Sequence, residues 1–464
     1  MDLFRKRSIN ELLQHSQKGN HLKRDLGTWD LTLLGIGAII GTGIFVLTGE
    51  GAVTAGPGLI LSFVISAIAC GLSALAYAEF AALVPISGSA YTYSYATLGE
   101  FIAWIIGWDL VLEYLLAAST VSVGWSGYFQ NLLEGLLGWK LPVALTAAPG
   151  GETEGALFNL PAFLILMIIT FLLSRGISAS KRTNNVMVVI KVSVVLLFIF
   201  VGINYVKPEH WQPFLPFGAS GVMNAAAMVF FAYIGFDAVA AAAEETRNPA
   251  KDLPRGLILS LGICTLLYII VTGIMTGIVP FMDFKGVNHP VSLALQVAGQ
   301  DWMAGVVDLG AILGMTTVML VMLYGQTRIF FTMSRDGLLP RRFSSVHPKY
   351  QTPFGATWFL GTIGALIGGL VPLDKLAELV NIGTLAAFTL VSIGVLILRK
   401  TQPNLKRPFR TPFVPVVPLG AIAFCVFLMS RLKAITWAAF LIWLVIGLII
   451  YFTYSRRNST LNQD

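Results

Sequence analysis

Four ionisable side chains stand well inside apolar stretches of this sequence: Asp109, Glu113, Lys191 and Asp237. Charged groups at such depth are costly and usually functional. Lys191, within Val188–Val195, is the single basic residue so placed. It reads as a fixed cation holding helix ends, as a titrating group standing in for a coupling cation, or as a chain that snorkels to an interface. We carry the titrating reading forward. Asp109 and Glu113 are four residues apart and share one helical face. Asp237 follows a glycine near the middle of its own apolar run. Glu113 and Asp237 are candidates for a proton relay, with Asp109 behind them; the alternative for each is a capping or pairing acid. Glu79, Glu244 and Glu245 lie at run edges, where gate or loop ion pairs are expected, and Asp308 has no assigned role.

Catalytic chemistry has little to work with. His15, His21, His210, His289 and His347 lie in tails or connections, without paired ligand spacing. Cys70, Cys264 and Cys425 sit in apolar runs as small hydrophobes. No HExxH, phosphate loop or Ser/His/Asp grouping occurs, so neither enzyme activity, a metal nor a cofactor is expected. A channel would show a pore loop or rings of charge, and neither is seen.

The elements that must position these groups are apolar helices. The chain is 56% hydrophobic and 12% charged, against about 25% charged in a soluble protein. Apolar runs long enough to cross a bilayer recur throughout. Twelve spans are predicted, near 29–48, 58–83, 98–125, 160–178, 185–206, 221–243, 256–280, 302–327, 355–371, 376–398, 413–430 and 435–454. Lysine and arginine alternate in density between the two sides. With the N-terminal tail inside, 24 of the 31 fall inside, 6 outside, and Lys191 within span five. A multi-pass protein of the cytoplasmic membrane is expected, both termini cytoplasmic, its basic residues serving topology rather than nucleic acid. Residues 3–22 read equally as an interfacial amphipathic helix against lipid and as a frayed tail.

Two spans cannot be plain helices. Span one carries four glycines within Gly35–Ile44, which reads either as close helix packing or as a helix broken at Gly41-Thr42-Gly43. Span six has Gly235 and Asp237 in mid-run. The two lie five spans apart, at matching places of two five-helix halves, and paired interruptions are the best sequence pointer to a carrier's binding site. There, half-helix N-termini face a carboxylate and free carbonyls face an ammonium group, which suits a zwitterionic amino acid.

The stretches Gly35–Val46, Tyr77–Glu100, Gly235–Gly256, Tyr324–Pro340 and Leu376–Phe388 together resemble the amino acid–polyamine–organocation superfamily, in particular bacterial members of its cationic amino acid transporter branch. The resemblance implies an all-α fold of two inverted five-helix repeats, 29–206 and 221–398, with two peripheral helices at 411–454 and cytoplasmic tails at 1–28 and 455–464. It places an amino-acid site at Gly41 and its neighbours. The carboxylate meets the amides of Thr42 and Gly43; the ammonium meets carbonyls of Ile39, Phe231, Ala232 and Ile234; Phe231 is also an outer lid. Lys191 takes the place of a sodium ion, with Thr316 and Thr317 nearby, so a proton and not sodium is the expected coupling ion. Met322 is the position facing the substrate side chain. Being apolar, it favours a small neutral L-amino acid such as alanine over arginine or lysine. Uniport, exchange and cationic substrates are the alternatives. The sequence leaves open a small accessory membrane subunit.

Overall fold

The computed structural model describes residue 5 and residues 26–83, 89–176, 181–242, 245–405 and 407–462. The interfacial helix read at 3–22 and the ion pair expected of Glu244 lie outside the described residues. Among these residues all regular structure is helical, apart from one isolated parallel bridge between Leu26 and Thr246.

Twelve apolar helical segments follow the predicted order. Span one comprises Thr28–Ile39, Thr42–Phe45 and Leu47–Ala55; span six comprises Gly218–Val229, a 3-10 turn Phe230–Tyr233, and Asp237–Ala241. The uninterrupted spans are Leu59–Leu83, Glu100–Leu137, Leu160–Ser174, Lys181–Gly202, Pro249–Ile278, Asp301–Arg335, Phe354–Leu370, Leu373–Thr401, Val416–Ser430 and Ala434–Ile450. Among the described residues, seven helical stretches are long and apolar enough to cross a membrane alone, and five shorter apolar helices accompany them.

Span three is the axis of the bundle. It runs 38 residues, about 57 Å at 1.5 Å per residue, and nearly every residue from Ala103 to Ser126 is buried. Glu100 lies in its first turn, where the helix dipole favours an acid. Gly138, at φ +62°, ends it in a left-handed cap, with its N–H donating to the Glu134 carbonyl. The prediction stopped this span at residue 125; the polar Gln130, Asn131 and Glu134 belong to the same helix. Spans eleven and twelve lie at the rim and leave Leu419, Val426, Leu441, Ile442, Val445 and Ile449 exposed, a surface suited to hydrocarbon.

Charge organises the side of the bundle that holds the chain ends. Glu79, at the end of span two, is almost fully buried, and Arg399 grips it with two bonds of 2.9 Å. Arg407 approaches it to 3.2 Å, and the Thr411 amide donates to it at 2.8 Å. The pairing expected of Glu79 is present; the Glu245 side chain makes no ion pair with the described residues. Removing one partner of a buried ion pair leaves the others uncompensated and costs about 3 kcal/mol or more. Glu79→Gln is therefore expected to lower the melting temperature of the purified protein by several degrees. An unchanged melting curve would show that the two arginines rehydrate freely.

A second buried acid, Glu100, accepts from Arg5 at 3.2 Å, Tyr95 at 3.2 Å, Tyr451 at 3.1 Å and Ser459 at 2.5 Å. One carboxylate thus joins residue 5 and the C-terminal segment to the foot of span three. On the opposite side, Lys433 bridges Glu378 at 2.8 Å and Asp374 at 3.8 Å, largely in solvent, where such pairs add little.

Candidate functional site

The first break falls between Ile39 and Thr42. The Ile40 N–H still closes on the Ile36 carbonyl, and the helix restarts at Thr42. The second falls over Ile234–Phe236, with Gly235 at φ +109°, a conformation that side-chain-bearing residues rarely adopt. The two breaks interlock. A β-carbon on Gly43 would lie 2.4 Å from the Ala232 Cα, and one on Gly235 would lie 2.8 Å from the Ala38 carbonyl oxygen. Both glycines are needed because backbone meets backbone. The break reading of span one is correct, and close packing is its consequence.

Broken helices free carbonyls in a dry interior, and each must find a donor. Neighbouring spans supply them. The Lys191 amine donates to the Gly37 carbonyl at 2.7 Å. The Tyr268 hydroxyl on span seven lies 3.0 Å from the Ile39 carbonyl and 2.7 Å from that of Ala232. The Asn381 amide on span ten donates to the carbonyls of Ala227 and Met228, both at 2.8 Å. Tyr128 on span three donates to the Phe45 carbonyl beside a second irregularity at Val46. By contrast, the N–H groups of Thr42 and Gly43 open a helix and have no intrahelical partner. They point from the positive end of the segment that starts at Thr42, which favours an anion.

A small cavity lies between the breaks. Ile39, Gly41, Thr42, Gly43, Phe231, Ile234 and Met322 line it, together with Ala38, Ala117, Val121 and Val318. Seven of the eight residues expected at a substrate site therefore share one wall. Ala232, the eighth, stands directly behind Gly43. Part of the lining is Ala117 and Val121 on span three and Val318 and Met322 on span eight, each pair four residues apart. No acid lines the cavity. The Thr42 hydroxyl faces the Met315 sulfur at 3.5 Å.

Lys191 is 1% exposed and packs its stem against Gly314 on span eight. Within the described residues no carboxylate lies at ion-pair distance. The Thr317 hydroxyl donates to the Gly314 carbonyl and so stays close to this space. Thr316 faces the other way: it accepts from the Trp125 indole at 3.0 Å and donates to the Ile312 carbonyl. Thr316 thus faces span three, and Thr317 bonds back onto the turn of Gly314, against which the Lys191 stem packs.

The three acids gather between the cavity and the end of the bundle that carries Glu100. Tyr114 donates to Asp237 at 2.6 Å. Glu113 sits beside the Thr384 hydroxyl and near Asp237 and Asp109. Asp109 is 1% exposed, and among the described residues neither of its carboxyl oxygens has a hydrogen-bond partner. Asp308 lies toward the other end, holding Asn131 at 2.7 Å and Ser292, so it fastens the short helix Pro290–Val297 to spans three and eight. Beside that helix, burial pushes the His289 imidazole down to about 4. His289 thus stays neutral from about pH 5 to 8 and adds no titration there.

Sequence reasoning missed Ala38, Ala117, Val121 and Val318, and also Tyr268, Asn381 and Tyr128. The four aliphatic residues carry no polar signal. The other three were visible as polar side chains in apolar runs, but their carbonyl partners lie on other spans.

Comparison with known proteins agrees with this geometry. A family model described as amino acid permease matches residues 26–452. The chain is 65% identical over 462 residues to a branched-chain amino acid permease, BcaP, of Bacillus subtilis (strain 168), covering 99% of both chains. It is 54% identical to a methylthioribose transporter of the same organism, again over 99% of both. It is 36% identical over 410 residues to a vacuolar cationic amino acid transporter of Arabidopsis thaliana, covering 87% of this chain and 68% of that one. These relatives are permeases and transporters, so the role is transport across a membrane and not catalysis. The chain is a multi-pass membrane protein that belongs to the amino acid permease family, within the amino acid–polyamine–organocation superfamily.

Proposed function

We propose that this protein is a proton-coupled symporter of L-amino acids with uncharged aliphatic side chains, working by alternating access. Residues 29–206 and 221–398 form its two inverted halves. The observation that carries the substrate class is the side-chain end of the cavity, formed by Ala117, Val121, Val318 and Met322 with no acid among them. An arginine or lysine side chain there would give up water without a partner, at a cost of several kcal/mol. A leucine or valine side chain gains about 1.5–3 kcal/mol from burial. The likeness to BcaP, a branched-chain amino acid permease of Bacillus subtilis, supports extending the class from alanine to branched-chain residues. A methylthioribose-like substrate fits less well, because a sugar needs several hydrogen-bond partners and Thr42 offers the one hydroxyl among the lining side chains.

The zwitterionic end is held by backbone. The Thr42 and Gly43 amides face the carboxylate, and carbonyls at the two breaks, those of Ile39, Phe231, Ala232 and Ile234, face the ammonium. Phe231 closes over it as a lid. Lys191 is the proton-coupling group, with Glu113 and Asp237 relaying the proton toward the side that carries Glu100. That side is cytoplasmic, on the distribution of lysine and arginine. No sodium is required.

The test is uptake of labelled L-leucine, L-valine, L-isoleucine and L-alanine into sodium-free proteoliposomes, with and without an inward proton gradient. Gradient-dependent accumulation is expected. Saturable uptake that ignores the gradient would mean uniport or exchange, and uptake of arginine in preference to leucine would overturn the substrate class. Met322→Ser removes apolar bulk from the cavity wall and is expected to broaden uptake toward larger substrates, with the leucine half-saturating concentration rising about tenfold. If the substrate range of Met322→Ser equals that of the parent protein, Met322 does not limit the pocket.

A further inference from the structure

We propose that the cytoplasmic end of span four, with the turn that leads into span nine, binds the headgroup of an anionic phospholipid through Arg175 and Lys349. Other cations on this side are spent on buried acids: Arg5 on Glu100, and Arg399 and Arg407 on Glu79. Arg175 and Lys349 are exposed, and among the described residues neither has an acid at ion-pair distance. Aromatic rings hold them instead. The Arg175 guanidinium carbon lies 4.8 Å from the centre of the Phe171 ring and 5.0 Å from that of Tyr350. The Lys349 amine lies 5.6 Å from the same Tyr350 centre. A ring face attracts a cation but offers no lone pair to its N–H groups. Both cations therefore keep donors for phosphate oxygens. Because both sit over one ring, a single headgroup can reach both.

The turn is built to hold this arrangement. His347 Nδ1 accepts from the amides of Lys349 and Tyr350 at 3.2 and 3.4 Å, and its ring stacks on Tyr350 at 4.7 Å between centres. The His347 amide donates to the Thr352 carbonyl at 2.8 Å, and the Thr352 hydroxyl donates to the Ser174 carbonyl at 2.8 Å. The turn is thus fastened to the last residue of span four, and Tyr350 is set beside Arg175. An apolar ridge leads to the cations from the membrane side. Leu164, Ile168 and Phe171 are exposed and, with Arg175, recur at helical spacing on one face. From Leu164 to Arg175 the ridge runs about 16 Å at 1.5 Å per residue, about half of a hydrocarbon core of about 30 Å. One acyl chain of one leaflet covers that length and brings its headgroup to Arg175. The ridge alone would suit any lipid; its ending in two ring-held cations selects a negatively charged one.

Arg175→Gln combined with Lys349→Gln removes both charges and keeps the rings. Phosphatidylglycerol titrated into the purified protein in detergent should raise its melting temperature, and phosphatidylcholine should not. The double variant should need about 25-fold more phosphatidylglycerol to reach half of the shift, about fivefold for each cation lost. Arg341→Gln combined with Arg342→Gln is the control, because it removes the same charge from a neighbouring exposed turn. Its half-point should move by less than about threefold. An equal loss in the control would mean that charge attracts lipid diffusely and would overturn the proposal. So would an equal shift by phosphatidylcholine or by inorganic phosphate at the same concentration, no shift by phosphatidylglycerol, or an unchanged half-point in the Arg175 and Lys349 variant. If that variant melts too low to titrate, native mass spectrometry of retained phosphatidylglycerol reads the same affinities, and retention equal to the parent's would overturn the proposal.

Discussion

Lys191→Met is expected to abolish proton-driven accumulation while leaving amino-acid exchange. A gradient of one pH unit supports about tenfold accumulation at one proton per substrate, since tenfold corresponds to about 1.4 kcal/mol. The parent protein should approach that ratio, and the variant should stay near one. The physical link is the short first half of span one. Lys191 donates to the carbonyl of Gly37, two residues before Ile39, whose carbonyl belongs to the proposed ammonium site. A positive charge at the C-terminal end of a helix stabilises it by about 0.3–2 kcal/mol. Gain or loss of the proton therefore biases the same half-helix end that substrate occupies. Methionine fills the space beside Gly314 but carries no donor, which leaves the Gly37 carbonyl unpaired at about 1–3 kcal/mol. Lys191→Arg separates the two roles of the lysine. A guanidinium keeps both charge and hydrogen bond but does not release its proton. If Lys191 titrates, the arginine variant also fails to accumulate substrate. If Lys191 is a fixed structural cation, the arginine variant accumulates normally and the methionine variant does not. Unchanged accumulation by Lys191→Met removes the residue from the coupling mechanism altogether.

Both breaks were legible because glycine in a long apolar run leaves few alternatives. Gly35–Ile44 has too many for a stable helix, and Gly235 sits just ahead of an acid. Lys191 was legible because every other basic residue lies in a tail, a connection or near the end of a span. Span lengths were less so. Span one runs on to Ala55 through Val46, and span three on to Leu137, because polar residues on a buried helix look like the start of a loop. The cavity wall was least legible. Ala117, Val121 and Val318 are ordinary core residues by type, and only helical phase relative to Glu113 and Met322 could have marked them. The carbonyl partners of Tyr268, Asn381 and Tyr128 depend on which spans meet, and that is tertiary information.

Gly43→Ala is expected to reduce uptake about 100-fold with the fold retained. The added β-carbon would stand 2.4 Å from the Ala232 Cα and 2.5 Å from its Cβ, far inside van der Waals contact, and the obstacle is backbone that cannot swing away. The two breaks must then separate by about 1 Å, at the place where both touch the proposed substrate, and displacements of that size can cost about 10²-fold in rate. Gly235→Ala meets the same limit from the other side. Its β-carbon would press on the Ala38 carbonyl, and φ +109° adds backbone strain of about 1–3 kcal/mol. Because the two clashes occur on different breaks but push the same pair of segments apart, either substitution alone should suffice. The double variant should be little worse than the single ones. Gly262→Ala on span seven is the control: its β-carbon meets nothing within 4 Å, and alanine improves helix propensity. Uptake by the three variants, each normalised to folded protein by size-exclusion profile, separates the outcomes. Near-normal transport by Gly43→Ala would mean that the breaks can part without consequence and that the substrate is held elsewhere. Loss in Gly43→Ala and Gly235→Ala, with Gly262→Ala intact, would tie transport to the contact between the two broken helices.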